Sequence, residues 1–219
     1  MLRGQQQYRS RTLFWLIPEV KIALPNDFRL HVEAEYRAFV FPSRTHQVII
    51  PAFELHKNLS ENWDVAVGGM HFLSYQPNDP FEDVDQVITE WRSFFELSYR
   101  ESLNDKQQIV QRAKIEERFF MLETGTLFLI RSRYRIQWKK QLQWKERKTT
   151  WFIDAEPMWQ FGAELPLGHF DQVRFRTGLR APVGRLELEL AYMYWFQQSG
   201  RAGVYFSHHI LPLRIMLNL

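Results

Sequence analysis

The sequence predicts an all-β protein, and within that class a closed antiparallel transmembrane β-barrel of about 10–12 strands, with twelve strands favoured. Three observations support this prediction. Apolar and charged residues alternate with a period of two along most of the chain, as side chains do on the two faces of a strand. Most alternating segments are about 11 to 17 residues long, whereas ordinary strands have about 5 to 6 residues. Aromatic residues make up 16% of the chain, but no apolar run is long enough for a membrane-spanning helix.

The composition bounds the class of protein further. Hydrophobic residues make up 45% of the 219 residues, which is too many for a disordered chain. The absence of cysteine excludes disulfides and thiolate metal sites, and it suits a protein that crosses an oxidising periplasm. The first residues contain no signal peptide, so we expect an exported chain in its mature form. We expect residues 1–11 to be an N-terminal extension and residues 12–219 to form a single outer-membrane β-barrel domain.

The first strands show the alternation directly. After a strand over 12–24, the segment DFRLHVEAEYRAFVF has apolar residues on one parity and charged or polar residues on the other. Weaker alternation predicts strands over 46–57 and 62–75. Turn-forming residues separate these segments at Pro25-Asn26-Asp27, Pro42-Ser43 and Ser60-Glu61-Asn62.

Residues 84–121 are compatible with either strands or a helix, because the apolar residues of VDQVITEWRSFFELSY also fit helical spacing. We predict strands over 88–101 and 108–122, since the segments on both sides are strands and Asn104-Asp105 favours a hairpin turn. As strands, they place Trp91 and Phe95 outward, with Glu90 and Arg92 inward.

The second half of the chain repeats the pattern. In LFLIRSRYRIQWKK, apolar residues share one parity with Ser132, and Arg131, Arg133 and Arg135 occupy the other. Further strands are predicted over 150–162 and within VRFRTGLR, RLELELAYMYWF and YFSHHILPLRIMLNL. This gives about eleven segments. Twelve strands are favoured because bacterial single-chain barrels have even strand numbers.

The same alternation fits a soluble β-sandwich, with the charged faces outside, or a membrane barrel, with the charged faces inside. We favour the barrel because closure removes the edges of these long apolar strands, and because aromatic residues lie near strand ends. The barrel predicts a luminal charge network at Glu90, Arg92, Glu96, Arg112, Glu116, Arg118, Arg131, Arg133, Arg135, Glu156, Arg174, Arg176, Glu187 and Glu189. It also predicts interfacial aromatics at Trp15, Trp63, Trp138, Trp151, Trp159 and Tyr194.

Several motifs in this order resemble a family of outer-membrane β-barrels of Bacteroidota that is classed only as a domain of unknown function (2490-like). They are WLIPEV, HVEAEYR, ITEWRSFFEL, QRAKIEERF, RSRYR, FIDAEPMW, FDQVRFRTGL and LELAYMYWF, and they extend from about residue 15 to the end of the chain. The resemblance implies a barrel fold and an outer-membrane location, and it implies no biochemical activity.

Candidate sites for chemistry are sparse. His208 and His209 point to opposite faces of a strand, and the other histidines are scattered along the sequence, so we expect no metal, no cofactor and no catalytic residues. Basic residues beside Trp138 and Trp144 suit contacts with anionic lipid head groups better than nucleic acid.

These observations predict a non-enzymatic structural or accessory subunit of an outer-membrane assembly, with an occluded, charge-paired lumen. Its expected partners are outer-membrane lipids or lipopolysaccharide and other outer-membrane subunits, and not nucleic acid. Three alternatives stay open: a small-solute channel, an outer-membrane hydrolase of lipids or peptides, and a soluble β-sandwich binding module.

Overall fold

The computed structural model describes residues 7–76, 86–144, 147–162, 169–198 and 204–219, although not the side chains of residues 7, 8, 144 and 147. These residues form eleven β-strands, and no helix in this part of the chain has the length and apolar character needed to cross a membrane. The strands are β1 (Gln7–Ala23), β2 (Phe28–Phe39), β3 (Arg44–Asn58), β4 (Trp63–Gln76), β5 (Gln86–Asn104), β6 (Gln107–Leu122), β7 (Gly125–Trp144), β8 (Arg147–Phe161), β9 (Phe170–Val183), β10 (Leu186–Gln198) and β11 (Val204–Asn218).

The strands pair with their neighbours in sequence and close into one barrel, in which β1 lies between β2 and β11. The all-β closed barrel is therefore confirmed, and the two packed sheets of a sandwich are not formed. The described residues give eleven strands, which lies within the predicted range of about 10–12, but the favoured number of twelve is wrong. The wholly antiparallel sheet is also wrong, because β1 pairs with β11 in parallel. An odd number of hairpin-linked strands leaves the first and last running in the same direction, so closure requires one parallel pair.

The ambiguous region forms the hairpin of β5 and β6. Its pairing runs from Thr89 opposite Met121 to Asn104 opposite Gln107. Glu90 and Arg92 are buried and Trp91 is half exposed, which confirms the strand prediction and its two faces.

Two local features differ from the expected pattern. β1 begins at Gln7 rather than at residue 12, so residues 7–11 belong to the barrel and not to an extension. The register shifts between Met158 and Trp159 of β8, and both Asp171 and Gln172 on β9 are buried. A register shift of this kind interrupts the alternation of inward and outward side chains. Sequence periodicity cannot detect such an interruption.

The barrel has two distinguishable ends. The connections 24–27, 59–62, 105–106 and 184–185 lie at one end, which we name the turn end. β1 begins at the opposite end, which we name the N-terminal end.

The interior also contains apolar side chains. One cluster joins residues of β1, β2, β10 and β11, and a second joins residues of β3, β4 and β5. The prediction of a charged interior was therefore incomplete. The first cluster consists of Leu13, Trp15, Ile17, Phe39, Met193, Trp195 and Ile210.

Gly68 on β4 is required by close packing. A Cβ atom at this position would overlap the carbonyl oxygen of Phe53 and the ring of Phe94, whereas one at Gly69 would make tight contacts without overlap, at 3.1 Å from the movable ring of Phe53 and 3.3 Å from the carbonyl oxygen of Arg92. We expect Gly68→Ala to lower the free energy of unfolding by about 1–3 kcal/mol through overpacking. Gly69→Ala, the matched control, should change it less. Urea titration of the refolded barrel measures both, and equal effects would contradict this account.

Candidate functional site

The interior is organised around Glu116 of β6, which has no exposed surface. Its Oε1 accepts a hydrogen bond from Nη1 of Arg133 at 2.7 Å. Its Oε2 lies 3.7 Å from Arg131 and 3.8 Å from Arg92. These four residues come from β5, β6 and β7, on which every second side chain points inward. A buried carboxylate is tolerated here because three cations surround it.

Two further carboxylates extend this centre. Glu156 of β8 accepts hydrogen bonds from Arg133 at 2.9 Å and from Arg112. Glu90 binds Arg92 at 2.5 and 2.9 Å, and it binds Arg118 at 2.5 and 3.1 Å. Each guanidinium therefore presents two nitrogens to Glu90, the bidentate geometry that gives the strongest charge-assisted hydrogen bonds.

A second group of ion pairs lies on the other wall. Arg176 binds Asp154 at 2.9 Å and Glu189 at 3.1 Å, and Glu189 also binds Arg180. These contacts link β8, β9 and β10.

The residues of the predicted luminal network share one side of the sheet. Ion pairs involve Glu90, Arg92, Glu96, Arg112, Glu116, Arg118, Arg131, Arg133, Glu156, Arg176 and Glu189. Arg174 instead lies over the rings of Trp195 and Trp15, at 4.9 and 5.4 Å. Arg135 lines an interior cavity, and Glu187 occupies the inward parity of β10 near the turn end.

The prediction for Trp15 is wrong. This side chain is only 4% exposed and lies inside the barrel, with its ring centroid 5.9 Å from that of Trp195 and the guanidinium of Arg37 stacked on it at 3.9 Å. Both faces of β1 are apolar in this region, so alternation could not distinguish inward from outward. The other predicted aromatics face outward: Trp63, Trp138, Trp151, Trp159 and Tyr194.

Several interior charges were missed by the sequence analysis. Lys114 lies between Arg112 and Glu116 on the same parity of β6, so the alternation of the sequence was sufficient to predict that its side chain points inward. Asp171 is buried by the irregularity in β9 and had no such signal. The other missed charges that form interior ion pairs include Glu19, Glu54, Asp64, Asp154 and Arg214.

Four of the histidines, although distant in sequence, form two close pairs in space, which the sequence analysis did not predict. His31 and His56 stack with ring centroids 4.2 Å apart, and His46 and His208 lie 6.5 Å apart beside Trp195. Both pairs face the interior from different strands, which is why sequence spacing did not bring them together.

Among the described residues, two cavities lie between interior side chains. The larger has a volume of about 480 Å³ and extends to Gln76 and Gln198 at the N-terminal end. The smaller, of about 90 Å³, is lined by Ile17, Arg135 and Arg176 among others. Trp15, Arg112, Arg133 and Arg174 line both cavities and therefore lie between them; we name these four residues the partition.

Fold and interior together define a closed β-barrel with an apolar outer face and a charge-paired interior. The chain belongs to the family described as protein of unknown function (DUF2490), whose model matches residues 12–204. The resemblance inferred from the motifs is thus confirmed at the level of the family. The crystal structure of the β-domain of the Bordetella autotransporter BrkA is similar at a TM-score of 0.48 and 9% identity, covering 88% of this chain and 82% of that chain. No curated protein matches the chain.

Glu116→Gln tests the importance of the central carboxylate. The substitution removes the charge that three guanidinium groups share, so we expect it to cost about 3–5 kcal/mol of unfolding free energy. Glu117→Gln is the matched control, because Glu117 is the next residue on the same strand, is exposed on the outer face and contacts Ser93. Denaturant unfolding should separate the two variants clearly. A Glu116→Gln barrel as stable as the control would show that the ion pairs are dispensable.

Proposed function

We propose that this chain is an integral outer-membrane β-barrel that serves as a non-enzymatic structural or accessory subunit. The observation that carries the proposal is that exposed apolar side chains surround the whole barrel. Soluble monomers rarely expose apolar patches larger than a few hundred Å². All eleven strands contribute at least one such side chain: Phe14, Tyr36, Phe53, Val67, Phe95, Ile115, Ile136, Ile153, Phe175, Leu190 and Leu211.

Strand length and closure support the same location. The strands are 12 to 20 residues long, and a tilted strand needs about 9 to 11 residues to cross a bilayer. The closed sheet leaves no edge of unpaired backbone groups for the lipid to solvate. The proposal includes export to the outer membrane of a Bacteroidota bacterium. Its partners would be lipids or lipopolysaccharide and other outer-membrane subunits, with no role for nucleic acid.

Ile115→Arg tests the membrane location. Ile115 is 54% exposed near the middle of β6, so an arginine there should cost about 2–4 kcal/mol of insertion free energy at the bilayer midplane. Asp105→Arg in the exposed turn between β5 and β6 is the control, for which we expect a change within about 1 kcal/mol. Folding yield and urea midpoint in lipid vesicles measure the difference. Equal yields for both variants would argue that the outer face does not meet lipid.

The packed interior favours an occluded barrel over an open pore. An interior of about eight strands is just filled by side chains, and about sixteen strands leave an aqueous channel. Here the long side chains of the partition and the two apolar clusters occupy the intermediate space. We therefore propose an interior that contains water but does not conduct ions. The larger cavity favours a second candidate, a small-solute channel, if the partition moves.

Planar-bilayer recording distinguishes these two functions. We expect the wild-type protein to give no reproducible conductance steps. The double variant Arg133→Ser/Glu156→Ser removes one long side chain of the partition together with the carboxylate that it binds, so it should increase conductance. Regular open-channel steps from the wild type would favour the small-solute channel.

We further propose that the chain is not an enzyme. Ser207 and His208 point to opposite faces of β11 and cannot act on one substrate atom from regular strand geometry. The Nδ1 atom of His208 has no hydrogen-bond partner in the described residues and lies among aromatic rings, so no acid orients the imidazole as a general base.

A further inference from the structure

The histidine pair near the turn end forms a distinct cluster with carboxylates. His31 of β2 lies directly opposite Glu54 of β3, and His56 follows Glu54 by two residues on the same face. Donor atoms of these three side chains all lie within 4.8 Å of one another. Two imidazoles and one carboxylate are the protein ligands of the open, three-ligand type of zinc site.

Two further carboxylates, those of Asp64 and Glu19, contact the two imidazoles, and we name them the outer carboxylates. Nδ1 of His56 lies 2.8 Å from Oδ1 of Asp64, and Nδ1 of His31 lies 3.4 Å from Oε1 of Glu19. Metal-binding histidines commonly use one ring nitrogen for the ion and give the other to a carboxylate, which fixes the orientation of the ring. Nε2 of His56 lies 3.1 Å from Oε2 of Glu54, so these two potential metal-ligand atoms are already close together.

Basic side chains around the cluster partly neutralise the negative charge of its carboxylates. Lys114 lies 3.3 Å from Oε1 of Glu54, which leaves Oε2 for the site. Arg29 binds Asp64, and Lys21 lies 3.5 Å from Glu19. The two outer carboxylates are thereby neutralised, and the inner donors are two imidazoles and one carboxylate oxygen.

We propose that His31, Glu54 and His56 bind a divalent transition-metal ion of the zinc type, with Asp64 and Glu19 orienting the imidazoles. Ligand bonds of about 2.0–2.2 Å place tetrahedral donors roughly 3.3–3.6 Å apart, so the widest separation must close by about 1 Å. Side-chain rotation can supply this movement. The side chains of His31, His56 and Glu54 are 18%, 10% and 21% exposed, which gives an ion access from the turn end.

Zinc binding by the full-length protein, purified in detergent and stripped with a chelator, tests the site. We expect one Zn²⁺ per chain by competition with a chromophoric chelator. His31→Gln and His56→Gln should each weaken binding at least 100-fold, and Asp64→Asn should weaken it about 10- to 100-fold. His169→Gln is the matched control, because His169 stacks on Phe161 at the N-terminal end, away from the cluster. Circular dichroism and electrophoretic mobility before and after heating establish that each variant is folded.

Cobalt provides a test that needs no variant. Co²⁺ bound to two imidazoles and a carboxylate in a site of low coordination number should give visible d–d absorption at one equivalent, and added Zn²⁺ should remove it. Absence of this absorption, absence of stoichiometric zinc binding, or equal loss of binding in His169→Gln would each overturn the proposal. Because the cobalt spectrum is recorded on the wild type, it decides the question even where a substitution prevents folding.

Discussion

Glu116 lies without exposed surface among the guanidinium groups of Arg92, Arg131 and Arg133, and this arrangement constrains the rest of the barrel. An isolated carboxylate in such a place would be very costly, so its partners must arrive from neighbouring strands in the correct register. A slip of one residue would turn the whole set of arginines outward and leave the acid alone. The ion pairs therefore favour one register of β5, β6 and β7 over its neighbours.

The size of the barrel explains why arginine is used so often. Eleven strands enclose more space than the side chains of a small barrel can fill, and an apolar filling of that space would leave voids. Arginine reaches towards the axis and presents several donors there. Its flat guanidinium also packs on aromatic rings, as Arg37 does on Trp15 and Arg92 on Phe72. Charged and apolar parts of the interior are thus packed together.

The alternation of apolar and charged residues predicted those features of the fold that depend only on the geometry of a single strand. It identified the all-β class, the faces of β5 and β6, and the inward positions of the arginines on β7, because side-chain direction in a strand follows sequence parity. It failed where both faces were apolar, as at Trp15, and where the register shifts, as at Asp171. The strand number was missed for another reason: a general rule for even barrels was preferred to the eleven segments that the sequence contained. The pairing of His31 with His56 depends on the register between strands, which no single segment encodes.

The parallel pair of β1 and β11 is where an odd-stranded barrel needs most support, since parallel pairing is slightly less stable per residue. Arg214 of β11 crosses this junction and binds Glu19 of β1 at 2.5 Å and Glu33 of β2 at 2.8 Å. Leu13, Trp15 and Ile17 of β1 pack in one cluster with Ile210 of β11 and residues of β2 and β10. The side chains that close the barrel therefore act from inside, through both charge and apolar contact. The interior at this junction is therefore a packed core, and the side chains that support closure of the barrel are among those that fill it.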